Sequence, residues 1–373
     1  MLKISYHKLG AHIITVLMED GGNTSRIFQT TSTIDEAKTY CVTGATGYIG
    51  SWLVKALLQK GCKVHAAVRV LEKASYLKSK WDNEDRLKLF KADLQDEGSF
   101  DEAVDNCDGV FHVAASMEFN IKDQENIESY VQSNIIDPAI KGTLNLLRAC
   151  KRSKSVKRVV LTSSISTITA KNNDGNWIPV VDESCQVSFD RVWNTRASGW
   201  VYVLSKLSSE EAAFKFANEN GLDLVSVITT TVAGPFLTST VPSSVRVLLS
   251  PITGDPELLP ILKAVNARMG SIALVHIEDI CNAHIFLMEH PNSEGRYMCC
   301  TQNCHMSHLL ELLAQSYPST SNMNWSNDEG IVPSVISSKK LKDLGFEYKH
   351  GLVTIINHTI KQCMECDYLP SIE

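Results

Sequence analysis

The 373-residue chain predicts an α/β fold, a doubly wound parallel sheet with a smaller mixed C-terminal lobe, and three observations lead there. Short apolar strand-like runs alternate with helical stretches from Lys38 to Ile228, giving six expected strands. The first alternation carries a glycine turn between its strand and its helix. Hydrophobic residues make up 44% of the chain and charged residues 21%, enough for a sizeable core.

The elements follow in order. Lys38–Gly44 (KTYCVTG) reads as a buried strand, TGATGYIG as the turn, and SWLVKALLQKG as a helix stopped at Gly61. CKVHAAVR is the second strand, so strand, turn, helix and strand fit one βαβ unit. LKLFKADL is the third strand, ending at Asp93 and Leu94, and Ser99 to Glu102 has the spacing of a capping box that would open a helix. GVFHVAAS is the fourth strand, residues 126–151 are helical, and KRVVLTSS is the fifth strand. A long helix at 201–219 closes at Asn220-Gly221, and LDLVSVI is the sixth strand. Residues 38–228 are expected to form the nucleotide-binding domain, and 229–368 mainly a substrate-binding lobe interleaved with it. Residues 1–37 read as a flexible N-terminal tail, in which Met18 is an alternative start and a weak organelle-targeting segment the other reading.

Net charge excludes some partners. With 36 basic against 42 acidic residues the formal charge is −6, unsuited to a general nucleic-acid or anionic-membrane binder. No apolar run is long enough to span a bilayer, and the N-terminus lacks a secretory pattern, so a cytoplasmic location is expected. Eleven cysteines without framework spacing suit a reducing compartment. Cys300, Cys304, His305 and His308, and separately Cys363 and Cys366, have no second ligand pair at finger spacing, so no metal is expected.

Two constellations carry chemistry. Gly44, Gly47 and Gly50, placed between a strand and a helix, allow backbone N–H groups and the helix N-terminus to approach a pyrophosphate. An acidic residue at the end of the second strand would accept from a ribose 2′-hydroxyl. Here Arg69 stands there, with Lys73 four residues later, and two cations suit a 2′-phosphate, so NADP(H) is the expected cofactor. The second constellation is Tyr202 and Lys206, one turn apart on one helix face. A Lys ammonium beside a phenol favours the phenolate and equips it for proton transfer. Ser164, at a strand end, is placed to hold a carbonyl oxygen, with Ser163 as its neighbouring rival because alternation lets only one face the site.

TGATGYIG, the Arg69 strand end, VFHVAAS, TSS and YVLSK together resemble the extended short-chain dehydrogenase/reductases, with their Rossmann-type sheet. SFDEAV, GVFHVAASMEF, DPAIKGTLNLL, VVDESC, AGPF, GSIALVHIEDI, AHIFL, EGRYMCC and KKLKDLGFEYK narrow the resemblance. They are similar to the plant dihydroflavonol reductase, anthocyanidin reductase and cinnamoyl-CoA reductase group, anthocyanidin reductase-like proteins above all, over residues 38–368.

The resemblance implies site residues. Gly44, Gly47, Tyr48, Ile49 and Gly50 would meet the pyrophosphate, Arg69 and Lys73 the 2′-phosphate, and Asp93 and Leu94 the adenine. Val113, Ala114 and Ala115 would line the ribose and nicotinamide side, and Thr229, Thr231 and Ser244 would contact the cofactor beyond the sixth strand. Ser164, Tyr202 and Lys206 match the family's catalytic triad, Lys206 also holding the nicotinamide ribose, while Met117 and Thr169 would face the substrate together with the region from Phe236 to Met269. The chain departs from the family at Val70-Leu71, usually Asp-Pro, at Thr229, usually Pro, and at Thr169, Asn in many dihydroflavonol reductases.

The expected activity is hydride transfer from NADPH to a small aromatic or flavonoid-like molecule, with Tyr202 as proton donor. A same-fold reductase of a hydroxycinnamoyl-CoA or an alkaloid or terpenoid ketone is the alternative, beside a non-catalytic NADPH-binding regulator. Oligomeric state, monomer or dimer, stays open.

Overall fold

In the computed structural model the described residues are 3–8, 14–19 and 26–30 as backbone, and 37–81, 86–115, 126–172, 174–318, 320 and 334–371. The first three segments are strands: β1 (Lys3–Lys8), β2 (Ile14–Glu19) and β3 (Arg26–Thr30) pair in that order, antiparallel. Residues 1–37 were expected to be a tail without strands. Runs such as ITVLME and RIFQT, rich in strand-forming residues and separated by short polar stretches, supply the signal that was passed over. This sheet belongs to a unit of its own, Met1–Lys38, separate from Thr39–Glu373.

The main sheet of the second unit has seven strands. They are β4 (Thr39–Thr43), β5 (Lys63–Val68), β6 (Leu87–Lys91), β7 (Gly109–His112), β8 (Arg158–Ser164), β10 (Leu224–Thr229) and β13 (Gly295–Cys299). Their spatial order is β13-β10-β8-β7-β4-β5-β6, all parallel. The six expected strands are the first six, and β13 extends the sheet beyond them. Chain direction across the sheet reverses between β4 and β7, and ligands of such sheets sit at the carboxyl ends of the strands at that reversal.

Strand alternation puts apolar residues on both faces, as a doubly wound sheet requires. Val42, Val64, Ala66, Phe111, Val160 and Val227 pack with the helices Tyr48–Gln59 and Ile277–Glu289 through Leu53, Leu57, Ile280, Ala283 and Leu287. Cys41, Ala67, Val110, Val159 and Leu161 pack on the other face with the helices Asp137–Ser153 and Trp200–Asn220 through Leu146, Leu147, Ala213 and Ala217. Each fully buried leucine contributes about 1.5–3 kcal/mol by removal from water.

Two expected helical features take another form. Ser99 does not cap a helix: its hydroxyl donates to the carbonyls of Asp93 and Asp96 at 2.9 and 2.8 Å, closing the turn after β6, and the short helix Asp101–Val104 begins beyond it. The stretch expected to be helical, 126–151, contains a π-turn, Gln132–Ile136, between Ile127–Val131 and Asp137–Ser153. Pro138, in the first turn of the helix that follows, has no N–H to donate back to an α-helical carbonyl.

The remaining strands form small sheets. β11 (Thr231–Ala233) and β12 (Ile272–His276) are parallel, β12 and β14 (Gln302–Cys304) antiparallel, and β9 (Val180–Val181) pairs with β15 (Val335–Ile336). Ile165, Ile168, Ala170 and Val181, from before the long helix, share a core with Met269, Ala273 and Ile336. Residues just beyond β8 therefore pack with this later part of the chain. Among the described residues no helix is long and apolar enough to cross a membrane.

Candidate active site

The ends of β4 and β7 are locked together by one hydroxyl. Thr43 Oγ1 accepts from the backbone N–H groups of Val113 and Ala114, each at 3.1 Å, and lies 3.2 Å from His112 Nδ1. With two N–H donors already on the oxygen, the hydroxyl hydrogen goes to Nδ1, and the imidazole carries its own hydrogen on Nε2. Burial, reinforced by the charge of Lys206, pushes the His112 pKa down to about 3, so the ring is neutral.

The glycine turn follows. Gly44 has φ +64° and lies so close to β7 that a Cβ there would come within 3.0 Å of Ala114 Cα. At Gly50 a Cβ would be 2.1 Å from the Gly44 carbonyl oxygen, so the helix Tyr48–Gln59 can seat on the turn only with glycine at that position. Gly47 precedes the first helical turn with no side-chain cap, and that turn holds no acidic residue, so its N–H groups can receive an anion. Tyr48 is anchored by donating to the Gly234 carbonyl at 3.0 Å, and Ile49 packs into the core. These close approaches fit a pyrophosphate-bearing dinucleotide.

Arg69 and Lys73 are exposed just past β5, the strand beside β4, and Lys73 lies in a short 3₁₀ turn, Glu72–Ala74. Neither forms an ion pair with another described residue. Past β6, Asp93 Oδ1 accepts from Gln95 N–H at 2.9 Å, and the Leu94 carbonyl accepts from the buried Asn145 side chain at 2.9 Å. Asn145 was not singled out from the sequence. It stands in the apolar pattern of a long helix, where nothing local marks it as the brace of a loop 51 residues away.

On the other side of the reversal, Lys206 Nζ donates to the Thr162 carbonyl at 3.1 Å, which fixes the long helix over the end of β8. Ser164 is the last residue of that strand, and its Oγ accepts from Ser166 N–H at 3.1 Å. Ser163 is buried, its hydroxyl without a hydrogen-bond partner among the described residues. Tyr202, one turn before Lys206, is half-buried. Thr229 lies beside Ser164 in register on β10 and donates to the Ser163 carbonyl at 3.2 Å. Thr231 begins β11, and Ser244 donates to the Val232 carbonyl at 2.8 Å. Thr169 Oγ1 accepts from Lys171 N–H at 3.2 Å, and Met117 and Ala115's downstream neighbours to residue 125 lie outside the described residues.

Tyr202 and Lys206 continue along their face to Glu210, a buried carboxylate that accepts from Ser226 on β10 and pairs with Arg296 on β13 at 3.1 Å. Arg296 also donates to Thr167 Oγ1 and the Glu183 carbonyl, at 3.1 and 2.7 Å. One ion pair thus ties the Tyr202 helix to two strands and to the segment after Ser164. The i, i+4, i+8 spacing of Tyr202, Lys206 and Glu210 was visible in the sequence, whereas its partner on an unforeseen strand was not.

His276, His350 and His358 cluster at the start of the helix Ile277–Glu289. His276 Nδ1 accepts from Glu278 N–H at 3.2 Å, which leaves Nε2–H to donate to His358 Nδ1 at 3.2 Å. Burial, with His350 adding to it, pushes the His276 pKa down to about 4. Both ring nitrogens of His276 are engaged in this arrangement, so it offers no lone pair to a cation.

The NAD dependent epimerase/dehydratase family model matches residues 40–300. The chain belongs to that family. A Ginkgo biloba protein provisionally named anthocyanidin reductase is 46% identical over 333 residues, 88% of this chain and 95% of that protein. Dihydroflavonol 4-reductase of Arabidopsis thaliana is 39% identical over 342 residues, 90% and 85% of the two chains. Among solved structures, vestitone reductase from alfalfa superposes with a TM-score of 0.72 at 29% identity, covering 89% of this chain and 99% of that one. The sheet, its glycine turn and the long helix are therefore those of an NAD(P)-dependent oxidoreductase of the extended short-chain type.

Proposed function

We propose that the protein is an NADPH-dependent reductase of a flavonoid-like carbonyl compound. The observation that carries this is that the Gly44–Gly50 cradle past β4 and the Lys206–Thr162 contact at the end of β8 lie at the same edge of the sheet, on the two sides of β7, with Tyr202 one turn before Lys206 and Ser164 last in β8. The names of the relatives point to the same substrate class.

Bound NADPH would supply the hydride. Gly44, Gly47 and Gly50 bring backbone N–H groups to its pyrophosphate, and Arg69 and Lys73 meet the 2′-phosphate. Lys206 is held by the Thr162 carbonyl and reaches the nicotinamide ribose, so its ammonium stands one turn from the phenol. Ser164 and Tyr202 hold the substrate oxygen, and Tyr202 gives it a proton as the carbon is reduced. Val113, Ala114 and Ala115 form the floor, and Thr169 borders the substrate.

The test is NADPH oxidation by purified protein against dihydroflavonols, anthocyanidins, hydroxycinnamoyl thioesters and simple aromatic ketones. Turnover of a flavonoid, abolished in Tyr202→Phe, is expected; turnover confined to thioesters or ketones would overturn the substrate class. Arg69→Asp is expected to shift the NADPH over NADH preference toward NADH by roughly tenfold or more. An unchanged preference would remove Arg69 from the 2′-phosphate site.

A further inference from the structure

Among the described arginines that are partly shut away from water, Arg158, Arg296 and Arg86 spend donors on the fold. Arg158 bonds Asp223 and the carbonyls of Leu287, His290 and Ser293. Arg296 bonds Glu210, Thr167 and Glu183. Arg86 has a covered Nε but donates from Nη1 to the Leu58 carbonyl. Arg268 differs. Its Nε is closed off from solvent without an acceptor, and the guanidinium has no hydrogen bond or ion pair among the described residues. A desolvated donor left without a partner costs stability, so its retention calls for a reason.

The place of Arg268 supplies one. It lies in the last turn of the helix Leu259–Met269, and its carbonyl accepts from Ala170 N–H at 3.3 Å, which seats it against the Thr169–Ala170 segment. Burial pushes its pKa down to about 10, and the neighbouring Tyr202 phenol acts in the opposite direction, so the group keeps its charge at neutral pH. A cation is favoured at a helix C-terminus, which offsets part of the cost without satisfying the donors. A planar fork of N–H donors with no partner among the described residues, near the proposed proton donor, matches an anionic oxygen.

We propose that Arg268 is a substrate-binding residue that takes a carboxylate or ionised phenol of the molecule reduced at Tyr202. The inference rests on the reductase reading for the position of the reacting carbon and adds the charge of the substrate to it.

The experiment measures, by calorimetry on the NADPH-loaded full chain, the binding of two matched pairs. One is naphthalene-2-carboxylate and its methyl ester; the other is dihydroquercetin and its 7-O-methyl ether, above the pKa of the acidic phenol. Wild type is expected to favour the acidic member by roughly tenfold or more, and Arg268→Gln to lose that preference while binding the neutral member as before. Arg268→Lys should keep part of it. A preference within the first pair alone assigns a carboxylate, and within the second alone a phenol. Equal affinity within both pairs, no binding of any acidic probe, or equal weakening of both members in Arg268→Gln would overturn the proposal. Removing an unpaired charge should leave the melting temperature equal or higher; a marked fall would make Arg268 structural. Loss of the preference in a protein that reduces no flavonoid would sink the flavonoid reading and spare this one. Flavonoid reduction with no acidic preference would do the reverse.

Discussion

The two walls of the crevice are made differently. On the β4 side it is backbone that shapes the surface: Gly44 against Ala114, Gly50 against the Gly44 carbonyl, and two N–H groups gathered on Thr43. On the β8 side it is side chains held by distant partners: Lys206 by Thr162, Glu210 by Arg296, and Arg268 by nothing described. A backbone-built surface suits a ligand part that is always the same, and a side-chain-built one suits a part that varies between enzymes. The first needs glycine at fixed short spacing; the second can be assembled from residues far apart in the chain.

The contrast can be broken at its strongest point first. Arg296→Gln should lower stability by roughly 3–5 kcal/mol, because it leaves Glu210 buried without its cation. The urea midpoint measures this, and a change under 1 kcal/mol would mean that the ion pair does not brace the helix. Arg268→Gln, by the same assay, should show no loss, which sharpens the difference between a structural and a ligand-directed arginine.

Gly50→Ala tests the other wall. The new methyl would collide with a backbone carbonyl that has no rotamer to move to, and about 3 kcal/mol is expected to be lost from folding or from NADPH binding. Fluorescence titration of NADPH and a thermal melt together locate the loss. An alanine variant with unchanged melting and unchanged affinity would show that the turn relaxes freely.

The smallest effect comes from protons. His112, His276 and His284 are held neutral by burial, with pKa values pushed down to about 3, 4 and 4. Unfolded histidines titrate near the ordinary value of about 6.5, so below that pH the unfolded state binds more protons and stability falls with acidification until the folded values are reached. At pH 5.5 each ring should cost about 1 kcal/mol relative to neutral pH. Urea midpoints at the two values check it, and a flat profile would show that the rings titrate as they do in the unfolded chain.

What could be read beforehand follows the same division. Six strands of the main sheet were legible because each is a short apolar run bounded by turn signals, and the glycine turn because its spacing is local. β13 was missed because GRYMC carries little alternation of its own and gains strand character from lying beside β10. The N-terminal strands went unread because a tail was expected there. Tyr202, Lys206 and Ser164 were singled out by spacing and strand-end position, whereas Arg296 and Asn145 make their contacts between distant segments, which no local pattern encodes.

The central claim is that Tyr202 delivers the proton in a site whose cofactor half stands independently of it. Stopped-flow hydride transfer from NADPH to whichever flavonoid the panel selects, with NADPH affinity measured on the same samples, tests it for wild type and Tyr202→Phe. The account predicts unchanged NADPH affinity and transfer slower by roughly 10²–10⁴-fold. Equal transfer rates in the two proteins would contradict it.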